Sequence, residues 1–495
     1  SYPVTITFTI RSPAPIHAGY GSWFDNQYLA VNNGRGYTLH EYDASGNLYY
    51  YGIFQSSSSW ASDGLSVSMG AGDLYVAKRW ANGTWAWVVH IDGNYGAPGA
   101  LSVDGSGNSY VAGMRTSGGL DLPGTEHDLP SREAAYFFSL DTNGSTRWSQ
   151  DAYIDGSSSA SWHVSTTASI DNYGSTRMSY DESNGELTVV GQVSTSSNSE
   201  RTVTLGNLTM EIPISNYNYY RPFVARINSS GEFSWATTLT PSSTYHRALQ
   251  GMGVHADGSV DILMKTYGET QLGGLTAGNE SRHYLIARVN DTGSWVGATE
   301  ITELSMGVGT GFASGDDSAM MEITPSGDLV VAIWSVTDIS NLTVDGESSL
   351  FNETCDDSLV VISISGAEWD VDASREFCLG QLASRYAEYY SILEIDNQGL
   401  PVLFLGQGAS GNYQANHQRI LRLDSNLNPD FEEFVAPNNN PATSFQLDWE
   451  DVAFDPLGNM LVNFYSNQCS LYWNGSYMGV AGTNCQYNSR FLMET

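Results

Sequence analysis

Lysine is almost missing from this chain: Lys78 and Lys265 are the only two among 20 basic residues in 495. Basic residues as a class are scarce, with Lys+Arg 20 against Asp+Glu 54 and a net charge of −34. Nucleic-acid binding rests on neutralising phosphates, so this balance argues against a nucleic-acid partner. No run approaches the ~18 apolar residues of a membrane-crossing helix, so no membrane span is expected. Apolar residues at i, i+3, i+4 are rare, and 51 glycines are spread along the chain, which leaves little room for helices. No H-E-x-x-H, P-loop, G-x-S-x-G or βαβ-type G-x-G-x-x-G occurs, and the nine histidines share no spacing. The expectation is a protein with no catalytic residues, no cofactor and no metal site, and not an enzyme.

Cysteine is sparse too, and its placement points outward. Cys355 and Cys378 flank the strand SLVVISIS, while Cys469 and Cys485 lie in an insertion near the end. No C-x-x-C is present, which argues against zinc. Four cysteines allow three pairings, and the local one, 355–378 with 469–485, is the simplest. Disulfides imply an oxidising compartment, hence an extracellular or cell-surface location. N-x-S/T sequons at Asn82, Asn143, Asn207, Asn228, Asn279, Asn290, Asn341, Asn352 and Asn474 agree with a secreted glycoprotein. An acidic surface with few lysines suits a saline exterior, where net charge maintains solubility.

What the chain does contain is a repeat. Residues 102–150 read as four strands: SVD, turn GSG, NSYVAG, a loop, AYFFSLD, turn TNG, then STRWSQ. The first turn and its following strand recur seven times, with turn glycines Gly46, Gly107, Gly185, Gly258, Gly327, Gly399 and Gly458 spaced by 61, 78, 73, 69, 72 and 59 residues. The second half recurs as DLYVAKRWANGTWAW (73–87), AYFFSLDTNGSTRW (135–148), PFVARINSSGEFSW (222–235) and YLIARVNDTGSW (284–295). A four-stranded antiparallel unit exposes an apolar face that it cannot bury alone, so such units pack around a common axis. The expected fold is all-β, a seven-bladed β-propeller of four-stranded antiparallel blades over 38–495, preceded by a segment 1–37.

The pattern D-x-x-G-N-x-Y-V-x-G … F-V-A-K/R-L-D-x-x-G-x-x-x-W resembles the SBBP-type propeller repeat of secreted and surface proteins of bacteria and archaea. The resemblance covers roughly 38–495 and implies a fold without implying one chemistry. The run DTNGSTRW is similar to the Asp-box of sialidases, but its Asp–Gly and Gly–Trp intervals are each one residue longer.

Within the segment 1–37, PVTITFTI alternates strictly, placing Val4, Ile6, Phe8 and Ile10 on one face of a strand. The last unit lacks a fourth strand, so residues 4–10 are expected to complete it, in their own chain or in a neighbour's. The first residue of each turn reads as a cap for backbone N–H groups rather than a calcium ligand, because the D-x-D-x-D-G run is missing. Insertions between second and third strands carry "L-G-x-L-T" pairs that are expected to decorate one side of the disc. Arg177, Arg247 and Arg385 are expected to line the central channel. These features point to a structural or adhesive surface protein that self-assembles into a filament through its N-terminal strand. The alternative is a carbohydrate-binding lectin or glycan-active enzyme using one face of the disc, with glycans as partners.

Overall fold

The protein is described by a computed structural model over residues 38–53, 58–62, 64–70, 72–91, 96–115, 120–122, 125–127, 134–154, 160–163, 177–195, 201–212, 219–241, 248–278, 282–303, 318–335, 342–344, 358–378, 391–405, 418–437, 447–466, 471–473, 476–477 and 489–494. All regular structure in these residues is β, and nearly all pairing is antiparallel. Among them no helix is long and apolar enough to cross a membrane.

The repeat units appear as sheets. Unit one is Thr38–Tyr42, Leu48–Ile53, Leu74–Arg79 and Trp85–Ile91 in that order. Units two to six follow the same four-strand path, and unit seven has three strands among the described residues: Leu447–Phe454, Met460–Ser466 and Ser489–Glu494. The first strands of the units are Thr38–Tyr42, Gly96–Val103, Arg177–Asp181, Ala248–Val254, Ser318–Ile323, Ile392–Ile395 and Leu447–Phe454. Each contacts the first strands of the units before and after it, and that of unit seven contacts that of unit one. The strands thus form a closed cycle.

The turn chemistry explains the repeat motif. Asp43 Oδ1 accepts the N–H groups of Ser45 and Asn47, both at 2.9 Å, while Asn47 Nδ2 donates to Oδ2 at 2.8 Å. Asp104 with Asn108 and Asp455 with Asn459 repeat the arrangement. Asp caps two orphan donors, Asn occupies the other oxygen, and Gly supplies the positive φ: all seven turn glycines lie between +72° and +92°. In these three turns both carboxylate oxygens are engaged by N–H donors, as a cap requires.

The units are joined by three devices. Apolar faces of neighbouring sheets share cores, as where Ala112 and Phe137 of unit two meet Val189 and Phe223 of unit three. Next, a fourth-strand indole lies on the following unit's turn glycine. Trp87 covers Gly144, Trp148 covers Gly231 and Trp235 covers Gly293, so that an added Cβ would meet the indole at 2.9, 2.5 and 2.8 Å. Trp87 Nε1 also donates to Thr142 O at 3.0 Å, and Trp235 Nε1 to Asp291 O at 2.8 Å. Finally, third-strand cations fill the seams: Lys78, 1% exposed, reaches Thr142 of unit two at 3.1 Å, and Arg226 reaches Gly258 O of unit four at 2.6 Å.

The insertions correct one expectation. Those of units three, five and seven do not simply decorate a face; they pair with the outer strand of the preceding unit. Arg201–Leu205 of unit three pairs with Thr146–Ile154 of unit two, and Leu342–Val344 of unit five pairs with Trp295–Glu303 of unit four. Leu471–Trp473 of unit seven likewise pairs with Pro429–Pro437 of unit six. A fourth strand is a sheet edge with unused N–H and C=O groups, and the next unit's insertion satisfies them.

Candidate functional site

Two features stand out from the repeated frame: a group of carboxylates on the first strands, and an edge of unit seven that is unpaired among the described residues.

The first strands carry charge at matched positions. Glu41, Glu322 and Glu394 stand two residues before the turn residue in units one, five and six, and Arg177 and Asp451 stand four before it in units three and seven. A spacing of two keeps side chains on one face of a strand, so the closed cycle turns all five toward each other. Glu322, Asp451 and Glu41 all raise the proton affinity of Glu394, and Arg177 opposes them. Arg177 Nη1 donates to Glu322 Oε1 at 2.6 Å, a bond from unit three to unit five. Asp451 Oδ2 accepts the His40 N–H at 2.6 Å and lies 2.8 Å from His40 Nδ1, which ties unit seven to unit one.

Burial sets the protonation of this cluster. Desolvation, then the charge of Asp451, pushes the Glu41 carboxyl up to about 8. Burial also raises Glu322, Glu394 and Asp451, against the stabilising pull of Arg177 on the first two and His40 on the last. Partial solvent contact persists, with the Asp451 and Glu322 side chains 18% and 19% exposed. Among the described residues no three of His, Cys, Asp and Glu converge closely enough to hold a metal ion.

A pH dependence follows. An acid with a raised folded-state pKa binds its proton more tightly when folded. Its contribution to stability is therefore full below the ordinary carboxyl value of 4.5 and is lost as pH rises to about 8. Glu41→Gln is expected to stabilise the protein at pH 8 by about 1–3 kcal/mol and to change little at pH 4.5. The figure is below the full shift because the cluster keeps contact with water. Urea unfolding at the two pH values measures it, and equal effects at both would contradict the assignment.

The second feature is an edge. Ser489–Glu494 pairs with Met460–Ser466 on one side and has no strand on the other among the described residues. In units one to six that position is filled by a fourth strand.

Of the sequence-based site residues, Val4, Ile6, Phe8 and Ile10 lie outside the described residues, as do Cys355, Cys469 and Cys485; Cys378 ends the strand Val371–Cys378. Arg247 and Arg385 are also outside, and Arg177 is engaged with Glu322. Of the sequons, Asn279, Asn341, Asn352 and Asn474 are outside. Asn82 and Asn143 are exposed in third-to-fourth-strand turns, and Asn228 and Asn290 use Oδ1 to cap such turns. Asn207 exchanges two hydrogen bonds with the Phe233 backbone, its Nδ2 donating at 3.2 Å. Sequence reasoning missed the carboxylates. Their signal was the shared register E-Y-D, E-I-T and E-I-D at 41–43, 322–324 and 394–396.

Solved structures offer remote likenesses. A NanB structure with Optactamide is 11% identical at a TM-score of 0.37, and a point mutant of NanB sialidase from Streptococcus pneumoniae is 11% identical at 0.36. Each match covers 88% of this chain, which spans 65% of the length of those chains. A protein of unknown function from Dyadobacter fermentans is 10% identical at 0.37, over 78% of this chain and 92% of that one. No family model and no curated protein sequence matches the chain. Likenesses of this size assign neither a family nor an activity.

Proposed function

We propose that the protein is a seven-bladed β-propeller of the SBBP repeat type, acting outside the cell as a structural or adhesive surface protein that assembles head to tail. Residues 4–10 of one copy complete the seventh blade of the next. The observation that carries this reading is the closed cycle of seven first strands whose last unit alone has three strands instead of four among the described residues. A strand donated across a heterologous contact builds a linear array, because the rotation need not close. The connection 11–37 has 27 residues, longer than any other fourth-strand-to-first-strand connection, the longest of which spans 155–176. At about 3.3 Å per residue it reaches a neighbouring copy with ease. The net charge of −34 keeps such an assembly soluble, and Asn82 and Asn143 are the sequons best placed to carry glycans. In this reading the protein is not an enzyme.

Negative-stain imaging tests it. Full-length protein is expected to form filaments, and a variant lacking residues 1–10 to remain as discrete particles. Discrete particles from both would overturn the assembly.

The central carboxylates favour a second reading, a glycan-directed site. Several carboxyls gathered on one axis, with Glu41 pushed up by burial, supply the kind of acid that glycan chemistry uses. Binding to or hydrolysis of a glycan panel, lost in Glu41→Gln, would support it, and no response across the panel would reject it.

A further inference from the structure

Unit one, which follows unit seven in the cycle, carries a second edge that is unpaired among the described residues. In unit three the insertion hairpin is Arg201–Leu205 and Leu208–Ile212: its first strand pairs with unit two's fourth strand, and its second contacts unit three's own fourth strand. In unit four the hairpin Thr270–Leu272 and Leu275–Ala277 does the same, pairing backward with Thr240–Pro241 and contacting Trp295–Glu303. Unit one has the matching hairpin, Ser58–Ser62 and Leu65–Met69, and its second strand contacts the unit's own fourth strand, Trp85–Ile91. Its first strand has no backward partner among the described residues. The unit before unit one in the cycle is unit seven, which has no fourth strand among the described residues.

We infer that the seventh blade offers a two-sided slot, and that residues 4–10 of a second copy lie in it between Ser489–Glu494 and Ser58–Ser62. The inference rests on the assembly proposed above and names the acceptor. The occupant is argued from pattern: Trp85–Ile91, unit one's own fourth strand, has seven residues with Trp85, Trp87, Val89 and Ile91 buried and the alternate ones half-buried. Residues 4–10, VTITFTI, have the same length and the same alternation, with Val4, Ile6, Phe8 and Ile10 in the buried positions.

The other units also supply the register. The residue just before the hairpin's two-residue turn pairs with the third residue from the end of the outer strand. Leu205 pairs with Ala152 where the strand ends at Ile154, and Trp473 pairs with Val435 where it ends at Pro437. The corresponding hairpin residue in unit one is Ser62, which faces Leu65 across Asp63 and Gly64. Phe8 is thus set opposite Ser62, Thr9 opposite Ala61 and Ile10 opposite Trp60. Such a strand is hydrogen-bonded along its inner edge and clamped at its end on the outer one. A lone blade edge would hold it by one ladder only.

Cysteine cross-linking of the full chain tests the slot. Thr9→Cys combined with Ala61→Cys, mildly oxidised and run without reductant, is expected to give a covalent ladder of multimers. The ladder should vanish in either single variant, and in Thr9→Cys with Ser66→Cys, which places the thiol on the hairpin's other strand. A covalently closed monomer would overturn the choice of a second copy. Filaments without any 9–61 cross-link would overturn the slot while leaving head-to-tail assembly standing, and the absence of filaments from unmodified protein would count against the assembly itself.

Discussion

Replacing Asp261 with alanine is expected to destabilise the fold by about 3–5 kcal/mol, the largest single-residue effect anticipated in this chain. Asp261 is 0% exposed and receives Arg288 through two bonds, Nε to Oδ1 at 2.8 Å and Nη2 to Oδ2 at 2.5 Å. His255 Nε2 lies 2.8 Å from the same carboxylate. The Arg288 guanidinium in turn stacks 4.9 Å from the Trp369 ring of unit five, so the pair sits in the seam between units four and five. Removing the carboxylate deprives a guanidinium that is only 15% exposed of both its acceptors, and the cost is that of the orphaned charge more than of the lost attraction. The diagnostic is a double-mutant cycle by chemical denaturation. Asp261→Ala with Arg288→Met should recover a large part of the loss. A double variant as unstable as the sum of the singles would show that the two side chains act independently.

The second large effect belongs to Gly231. This glycine holds φ +88°, and a Cβ there would meet Trp148 Cγ at 2.5 Å. Gly231→Ala carries both a backbone cost of about 1–2 kcal/mol for the left-handed conformation and a steric cost of about 1–3 kcal/mol for overpacking. Gly185 separates them: its φ is +72°, and the nearest atom to an added Cβ is Tyr180 Oη at 3.6 Å. Gly185→Ala is therefore expected to show the backbone cost alone, and Gly231→Ala about twice that. Removing the ring atoms nearest the added methyl by Trp148→Ala should make the cost of Gly231→Ala smaller in that background than in the parent chain. Equal losses at Gly185 and Gly231 would mean that the indole is not fixed against the turn.

The same contrast shows how far the chain could be read without its structure. The tight turns were legible because their chemistry is local: Asp43, Gly46 and Asn47 sit within five residues, and the cap, the positive φ and the side-chain bond all form inside that window. Strand alternation is also local, which is why the all-β class and the antiparallel units could be read from spacing alone. The central carboxylates were not, although their register was present in the repeats. A Glu before a turn is an ordinary exposed residue on a single strand, and Glu41 gains a raised pKa only when the other first strands bury it and bring Asp451 to it. The backward pairing of the insertions was misread for a related reason. A short strand such as Leu342–Val344 shows an apolar run but not its partner, which lies some forty residues earlier at Ile301–Glu303.

By itself, then, the sequence determined the strands, the turns and the sevenfold repeat, because each is set by side chains acting on their own backbone. The tertiary structure alone decided which edges meet, which cations fill the seams and which acids are forced to share a space. Those outcomes depend on closing the cycle of units, and closure brings together residues as distant as His40 and Asp451, whose attraction has no trace in local pattern.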